Sequence, residues 1–541
     1  MKPFFKFTAP LLVLALGFPI SGSTQSSDET DHHSHTATGT PPEQLGRVSF
    51  ANSCTPAVQA SFERAVALLH SFWWQEGERT FRDVLRRDPK CAIATWGIAA
   101  ILMGNPFAAG PTPAQALQAE AAIARGRAIG AKTERERLYI EAVAQYYEGF
   151  PGRAHGARLV SLSRAFERLA ARFSEDDEAQ IFSALYLTAT QEPSEQTFAT
   201  ALRAAAILEV QFKKHPDHPG VAHYLIHSYD YPGIAAQGLS AARRYSEIAP
   251  SAPHALHMPS HIFTRVGAWP DSVASNLRSA SAAKAQNAPV DQLHAMDYLV
   301  YADLQLARDH DARRVVEEAP GVPDDEQIRA APYALAAIPA RYALERGAWT
   351  EAALLQPQAT RFAAAAALTY FARAIGAARS GDAAAAEHDV QELARIVDAL
   401  KAEQDGYWTT EVEVQRMGGA AWAAFARGDR NAALDLMTAA ADLEDKSEKS
   451  AISPARLAPA HELLGDMLLE SGKPAAALAE YERSQLRDPN RFRSLYGAGQ
   501  AAAQSGDRDR SRYYFTKLID LAGAGEVRPE IEAARRFVAS F

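Results

Sequence analysis

The stretch Leu463–Asn490, LLGDMLLESGKPAAALAEYERSQLRDPN, decides the fold once it is laid over Gly497–Gly523, GAGQAAAQSGDRDRSRYYFTKLIDLAG. Gly465 falls on Gly499, Ser471 on Ser505, Gly472 on Gly506 and Tyr481 on Phe515, every pair 34 residues apart. Gly347 and Gly381 repeat the interval. In each segment an apolar-periodic run stops at Ser-Gly and a second run begins, which reads as helix, glycine turn and helix. Asp-Pro closes the unit at Asp488-Pro489 and, far upstream, at Asp88-Pro89. A fixed period of this length belongs to stacked units, none of which can bury its apolar stripe alone.

These segments resemble the tetratricopeptide repeat (TPR), over most of residues 56–521, with degenerate units and inserts such as the charged stretch Glu444–Ser450. The expected fold is all-α, a TPR-like superhelical solenoid of antiparallel helix pairs. Ala-rich runs at Ala363–Ala367 and Ala383–Ala386 favour helix and let neighbours approach closely. The resemblance implies that the first helix of each pair lines a concave groove, where such arrays bind ligands. It names no function by itself.

The 541 residues exceed one compact core but suit an array. With 47% hydrophobic and 22% charged residues the chain is an ordinary folded protein. A net charge of −9 and the lack of a Lys/Arg run argue against nucleic acid as partner. Lys2 and Lys6, the apolar run Ala9–Ile20 and the small residues Ser21-Gly22-Ser23 read as a secretory signal peptide over residues 1–23. No later stretch is long and apolar enough for a membrane span. Residues 24–50, rich in Ser, Thr, Pro and His, read as a flexible tether. Its Asp31-His32-His33-Ser34-His35 tract is a solvated tail or a loose metal-collecting arm. An N-terminal array over 51–310 and a C-terminal array over 311–541 complete the expected layout of a secreted or periplasmic protein.

Two cysteines exclude a disulfide scaffold and a four-cysteine metal module. Cys54 precedes the first repeat helix and Cys91 opens the first helix of the next pair, 37 residues on. Stacked first helices run parallel, so both thiols sit at neighbouring N-terminal ends. A Cys54–Cys91 disulfide is therefore expected in an oxidising compartment.

Seven of the sixteen histidines lie within His215–His261, under a tenth of the chain. In HPGVAHYLIHSYDYP, Pro219 opens a helix and Pro232 ends it. His223 and His227, spaced i,i+4, share a face that Asp230 continues. In SAPHALHMPSHIFTRVGAW, His254, His257 and His261 also share one face. His223 to His257 and His227 to His261 are both 34 residues, so the same pair occupies the same register on successive turns. With helices 8–10 Å apart, four imidazoles can converge on one metal, His254 to one side. Pro259, between His257 and His261, either bends the helix to aim them or starts a new turn with Ser260 as cap. A third helix, DQLHAMDYLVYADLQLA, adds His294, Asp297, Tyr298 and Tyr301. Tyr229, Tyr298, Tyr301 and Arg265 are candidate substrate or supporting residues. His215 and His218 stay open, and His70, His155, His310, His388 and His461 read as ordinary.

Hydrogen-bonded core histidines, a peptide-binding or pH-dependent groove and a metal site all remain open, and the shared register favours metal. Imidazole-dominated sites suit Cu, Zn or Fe. No glutamate follows His223, so the H-E-x-x-H zinc peptidase pattern is absent. The Glu-x-x-His pairs of di-iron helices are also absent. Six histidines, His223, His227, His254, His257, His261 and His294, could hold two copper ions, three each. Alternatively one metal takes Asp230 or Asp297 as a ligand or as a residue orienting a ligand.

The strings HYLIHSYDYP, APHALHMPSHIFTRVGAW and HAMDYLVYADLQ, with ALLHSFWW and DPKCAIATWGIA upstream, resemble a group of large exported bacterial TPR-repeat proteins named for their repeats. That resemblance implies fold and export and carries no reaction or catalytic residue. The functional expectation is an exported metalloprotein with a His-rich transition-metal site in the groove, open to oxidase or hydrolase chemistry on a small molecule or peptide. The competing expectation is a scaffold that binds a peptide or protein without catalysis. The C-terminal repeats, lacking a comparable polar cluster, read as structural extension or partner surface.

Overall fold

The computed structural model describes residues 42–323 and 328–540. The expected signal peptide, residues 1–23, and most of the expected tether lie outside the described residues. From Gln44 onward the chain forms one compact unit. Its elements are twenty-six α-helices and four short 3₁₀ segments, with no strand among the described residues. This is the expected all-α solenoid: consecutive helices pack pairwise, and alternate helices such as Ala330–Glu345, Ala363–Arg379 and Gly406–Ala426 also touch.

The residues that set the repeat have clear physical jobs. Gly472 and Gly506 turn the chain between paired helices at φ +71° and +83°, a backbone that costs an L side chain strain. Gly465 and Gly499 serve a different end. A Cβ there would lie 2.8 Å from the Tyr481 ring and 2.5 Å from the Phe515 ring. The aromatic of each second helix thus rests on the bare backbone of its first helix, which is why glycine and aromatic recur together.

The Cys54–Cys91 disulfide is present, its Cα atoms 4.7 Å apart. It fastens the entry segment to the start of the helix Ile93–Leu102 and contributes about 2–4 kcal/mol. The tether ends earlier than expected. Leu45, Val48 and Phe50 are buried, and Phe50 stacks on Trp96 at 5.4 Å. The Gln44 amide donates to Ser251 and the Arg47 amide to Asp217, so apolar burial pins residues 44–50 along the repeats.

The last turns fold back onto the middle of the array. Arg491, fully buried, donates to Glu345, Glu462 and Tyr301. The Trp269 indole donates to the Asn490 carbonyl, and Arg528 pairs with Asp309. The connection between Glu444 and Ala460 meets the histidine helices: Lys449 pairs with Asp230, and the Ser453 carbonyl accepts from the Tyr298 hydroxyl. Among the described residues no helix is long and apolar enough to cross a membrane.

Candidate metal centre

Three stretches build the site. The helix Pro219–Tyr229 starts with Pro219, and the His218 ring accepts the Val221 amide as its cap. Its fully buried face carries His223 and His227. The next histidine stretch is two short helices, Pro253–His257 and Pro259–Val266, joined at Met258 with φ and ψ still helical. Pro259 therefore opens a new turn, and Ser260 is buried in it rather than capping it. The expected bend does not set ring spacing. His257 and His261 across the break are 5.0 Å apart, and His223 and His227 on an unbroken helix are 4.9 Å apart. His294 lies on the third helix, Pro289–Gln305.

The four paired histidines do not meet at one point. They divide into two triads, His223–His227–His254 and His257–His261–His294, each offering three nitrogens within 4.8 Å of one another. Each triad takes an i,i+4 pair from one turn and a single imidazole from the next. The triads adjoin: the His227 and His261 rings are 6.0 Å apart, and those of His254 and His257 are 6.2 Å apart.

Hydrogen positions give this geometry its chemical meaning. His223 Nδ1 donates to the His70 carbonyl at 2.6 Å, which leaves a lone pair on Nε2. That Nε2 lies 3.1 Å from both His227 Nε2 and His254 Nε2. In the second triad His257 Nδ1 donates to Asn276 Oδ1 at 2.7 Å, an oxygen identified by the Asn276 amide donating to the Ser272 carbonyl. His261 Nδ1 donates to Asp230 Oδ2 at 2.8 Å. Both Nδ1 protons are thus committed, yet the two Nε2 atoms face each other at 3.0 Å. Two lone pairs at that distance repel unless a proton or a cation sits between them.

Burial argues against the proton. It holds His257 and the three histidines of the first triad well below their usual range, reinforced by neighbouring imidazoles. Burial also lowers His261, although the Asp230 carboxylate opposes it. A cation fits: nitrogens 3.0–3.1 Å apart subtend about 95–100° at a metal with bonds of about 2.0–2.1 Å. His294 completes the second triad with a buried Nδ1 that has no hydrogen-bond partner, while its ring donates to the Ile452 carbonyl.

The walls are aromatic on one side and carry paired charges of both signs on the other. The Phe72 ring lies 4.4 Å from His223, and Phe107 stacks on His227 at 4.0 Å. Tyr298 packs on His257, His261 and His294, and its hydroxyl donates to the Ser453 carbonyl at 3.0 Å. Behind His261, Asp230 accepts from Arg265 at 2.9 Å and from Lys449 at 3.3 Å. Burial alone would raise Asp230, but Lys449, Arg265 and His261 outweigh it and keep the carboxylate ionised. Burial lowers Lys449 to about 8.

Several expected roles change. Asp230 orients His261 through its Nδ1 proton and is a partner of a candidate ligand, outside both triads. Asp297 is salt-bridged to Arg341 at 2.7 Å, both side chains fully buried, so its charge is spent there. The Tyr229 hydroxyl turns to Glu209, and the Tyr301 hydroxyl accepts from Arg491. Neither tyrosine supports the triads, whereas Arg265 and Tyr298 do. The C-terminal half, expected to be only extension or partner surface, supplies Lys449 and the Ile452 carbonyl. The charged insert Glu444–Ser450 was its signal. Asn276, Phe72 and Phe107 left none.

Two further groups bring ligand-type atoms together. Cys54, Asp88 and Cys91 form one, whose sulfurs are spent in the disulfide. His70, Glu178 and His218 form the other, fully buried. There His70 donates from Nε2 to Glu178 and accepts at Nδ1 from Tyr224, both at 2.9 Å. His218 donates from Nε2 to Glu178 at 3.0 Å and accepts the Val221 amide at Nδ1. Every ring nitrogen is satisfied, so this is a structural clamp in which His70, read as ordinary, is joined by His218. His215 is half-exposed on Asp177.

No family model and no curated protein matches the chain. Among solved structures, the human IFIT1 dimer with m7Gppp-AAAA is 12% identical, covering 80% of this chain and 90% of that chain at a TM-score of 0.34. The same protein with PPP-AAAA gives 0.35. Yeast Tom70 is 11% identical, covering 88% of each chain at 0.30. Similarity at that level supports no inference about ligand or activity.

Proposed function

We propose that this protein is a solenoid metalloprotein whose function resides in the two histidine triads, each holding a transition metal between consecutive turns. The observation that carries the reading is the 3.0 Å approach of His257 Nε2 to His261 Nε2 while both Nδ1 protons are donated elsewhere. Asn276, Asp230 and the His70 carbonyl then do what partners of metal-bound imidazoles do: they fix the ring and direct its lone pair inward. A bound metal would supply charge, and in a redox role electrons, at a largely buried centre. The Cys54–Cys91 bond supports an oxidising compartment, in keeping with export through residues 1–23. A peptide lying on the second triad would compete with residues 449–453, whose Lys449, Ile452 and Ser453 already meet Asp230, His294 and Tyr298.

The test is metal analysis of protein purified without a polyhistidine tag, before and after dialysis against candidate metals. Stoichiometric metal is expected, with the second-triad share lost in His257→Ala and His261→Ala variants that keep their helix content and disulfide. Wild-type protein that neither carries nor takes up metal overturns the reading.

A further inference from the structure

The two triads are alike in donor chemistry and share a wall, and the charge around them restricts what they can hold. All six donors are neutral imidazole nitrogens, since Asp230 and Asp297 are engaged with Arg265, Lys449 and Arg341. The charged groups behind His261 offset one another: Asp230 and Glu448 face Arg265 and Lys449, Glu448 also pairs with Arg487, and Asp488 acts on Arg265. The protein therefore brings no net negative charge to offset bound cations, and the histidine rings are largely or fully buried. The cost of burying an ion rises with the square of its charge, so two divalent ions would strain a site that two monovalent ions suit. Of the metals that imidazole binds well, copper offers a stable monovalent state.

Crowding and charge balance also restrict the ligand. Phe72 and Phe107 crowd the first triad and Tyr298, held by the chain at 451–453, crowds the second, which favours a small ligand over a bulky one. A ligand that added or removed charge would upset the balance. Dioxygen is small, neutral and takes two electrons, one from each of two adjacent copper(I) ions.

We propose that the two triads bind two copper(I) ions as one dinuclear centre whose ligand is dioxygen. Resting on the metal reading above, this assigns the ion, its number and its small-molecule partner. On binding, each copper(I) becomes copper(II) and dioxygen becomes a bridging peroxide. One oxygen–oxygen bond order is lost, two copper–oxygen bonds form, no proton moves, and the total charge of the buried centre does not change. Repeated turnover would need an external two-electron reductant. Binding alone needs none.

The experiment uses untagged, disulfide-intact full-length protein loaded anaerobically with copper(I) against a competing chelator, then exposed to air. Two copper ions per chain are expected. After air, the X-ray edge should read copper(II) while the electron paramagnetic resonance signal stays nearly absent, because adjacent spins couple. His294→Ala and His254→Ala should each leave one copper per chain, now visible by paramagnetic resonance after oxidation, with helix content unchanged. One copper per wild-type chain, two copper ions with a full paramagnetic signal after oxidation, or zinc taken up in preference to copper(I) overturns the proposal and leaves the metal reading standing. Failure to bind any metal removes both.

Discussion

The His70–Glu178–His218 clamp and the His257–His261–His294 triad have similar parts and opposite chemistry. Both bring three ligand-type side chains within 4.8 Å in a buried setting. In the clamp a carboxylate sits between two imidazoles, and each ring nitrogen is a paired donor or acceptor. In the triad the outer nitrogens are paired and the inner ones confront each other. Proximity of histidines therefore says little until the protons have been placed. A satisfied network contributes to folding, and a network that leaves lone pairs converging offers them to a cation.

The largest effect expected from this contrast is at Glu178. Glu178→Ala leaves His70 and His218 without their buried acceptor and should cost about 3–5 kcal/mol, measured by urea unfolding of metal-free protein. Metal content should stay at the wild-type level. Loss of metal with little change in stability would erase the distinction between the two clusters. The acid limb sharpens the same point. Burial alone would raise Glu178, but the two histidines outweigh it, so its folded pKa is lowered from 4.5. The unfolded chain then binds the proton more readily, and the stability that Glu178 provides is present above pH 4.5 and lost as pH falls. Relative to Glu178→Gln, wild-type protein should lose up to about 1.4 kcal/mol per pH unit below that value.

Asp230 tests the other side of the contrast. Asp230→Asn preserves shape but removes the charged acceptor that directs His261 Nε2 inward. It should weaken metal binding at the second triad by about 10–100-fold and the first triad much less, since the Asp230 charge acts on His227 without a hydrogen bond, as read by competition with a chelator. Equal weakening of both triads would mean that the residue acts through the fold instead of through His261.

The parts of this arrangement that could be read in the sequence were local or periodic. The 34-residue interval fixed the helix pairs, the turns at Gly472 and Gly506, and the common register of His223 with His257 and His227 with His261. An i,i+4 spacing on a helix opened by proline has one structural outcome, so those pairs could be placed on a face. The division into triads could not. Whether His254 joins His223 or His257 depends on how neighbouring turns stack, and His294 follows an insert that breaks the register. Longer-range partners were harder still. Glu178 is 108 residues from His70, and Lys449 is 219 residues from Asp230. An isolated histidine in an amphipathic helix, or a lysine in a charged loop, has no periodicity to show that a distant turn will meet it.

Lys449 gives the smallest and most directional effect. Its ammonium lies on Asp230 at 3.3 Å and depresses the affinity of His227, His257, His261 and His294 for protons. A cation that opposes protonation of these imidazoles also opposes a metal ion on the same nitrogens. Lys449→Met removes that repulsion and also removes a competitor for Asp230, which keeps Arg265 and accepts more strongly from His261. Both changes point the same way, so metal affinity should rise, by up to about tenfold for one unit charge across roughly 10 Å of partly polarisable protein. The clamp at Glu178 should not register the substitution. Weaker metal binding in Lys449→Met would mean that the loop's packing on Tyr298 and His294, rather than its charge, is what the C-terminal half contributes to the triads.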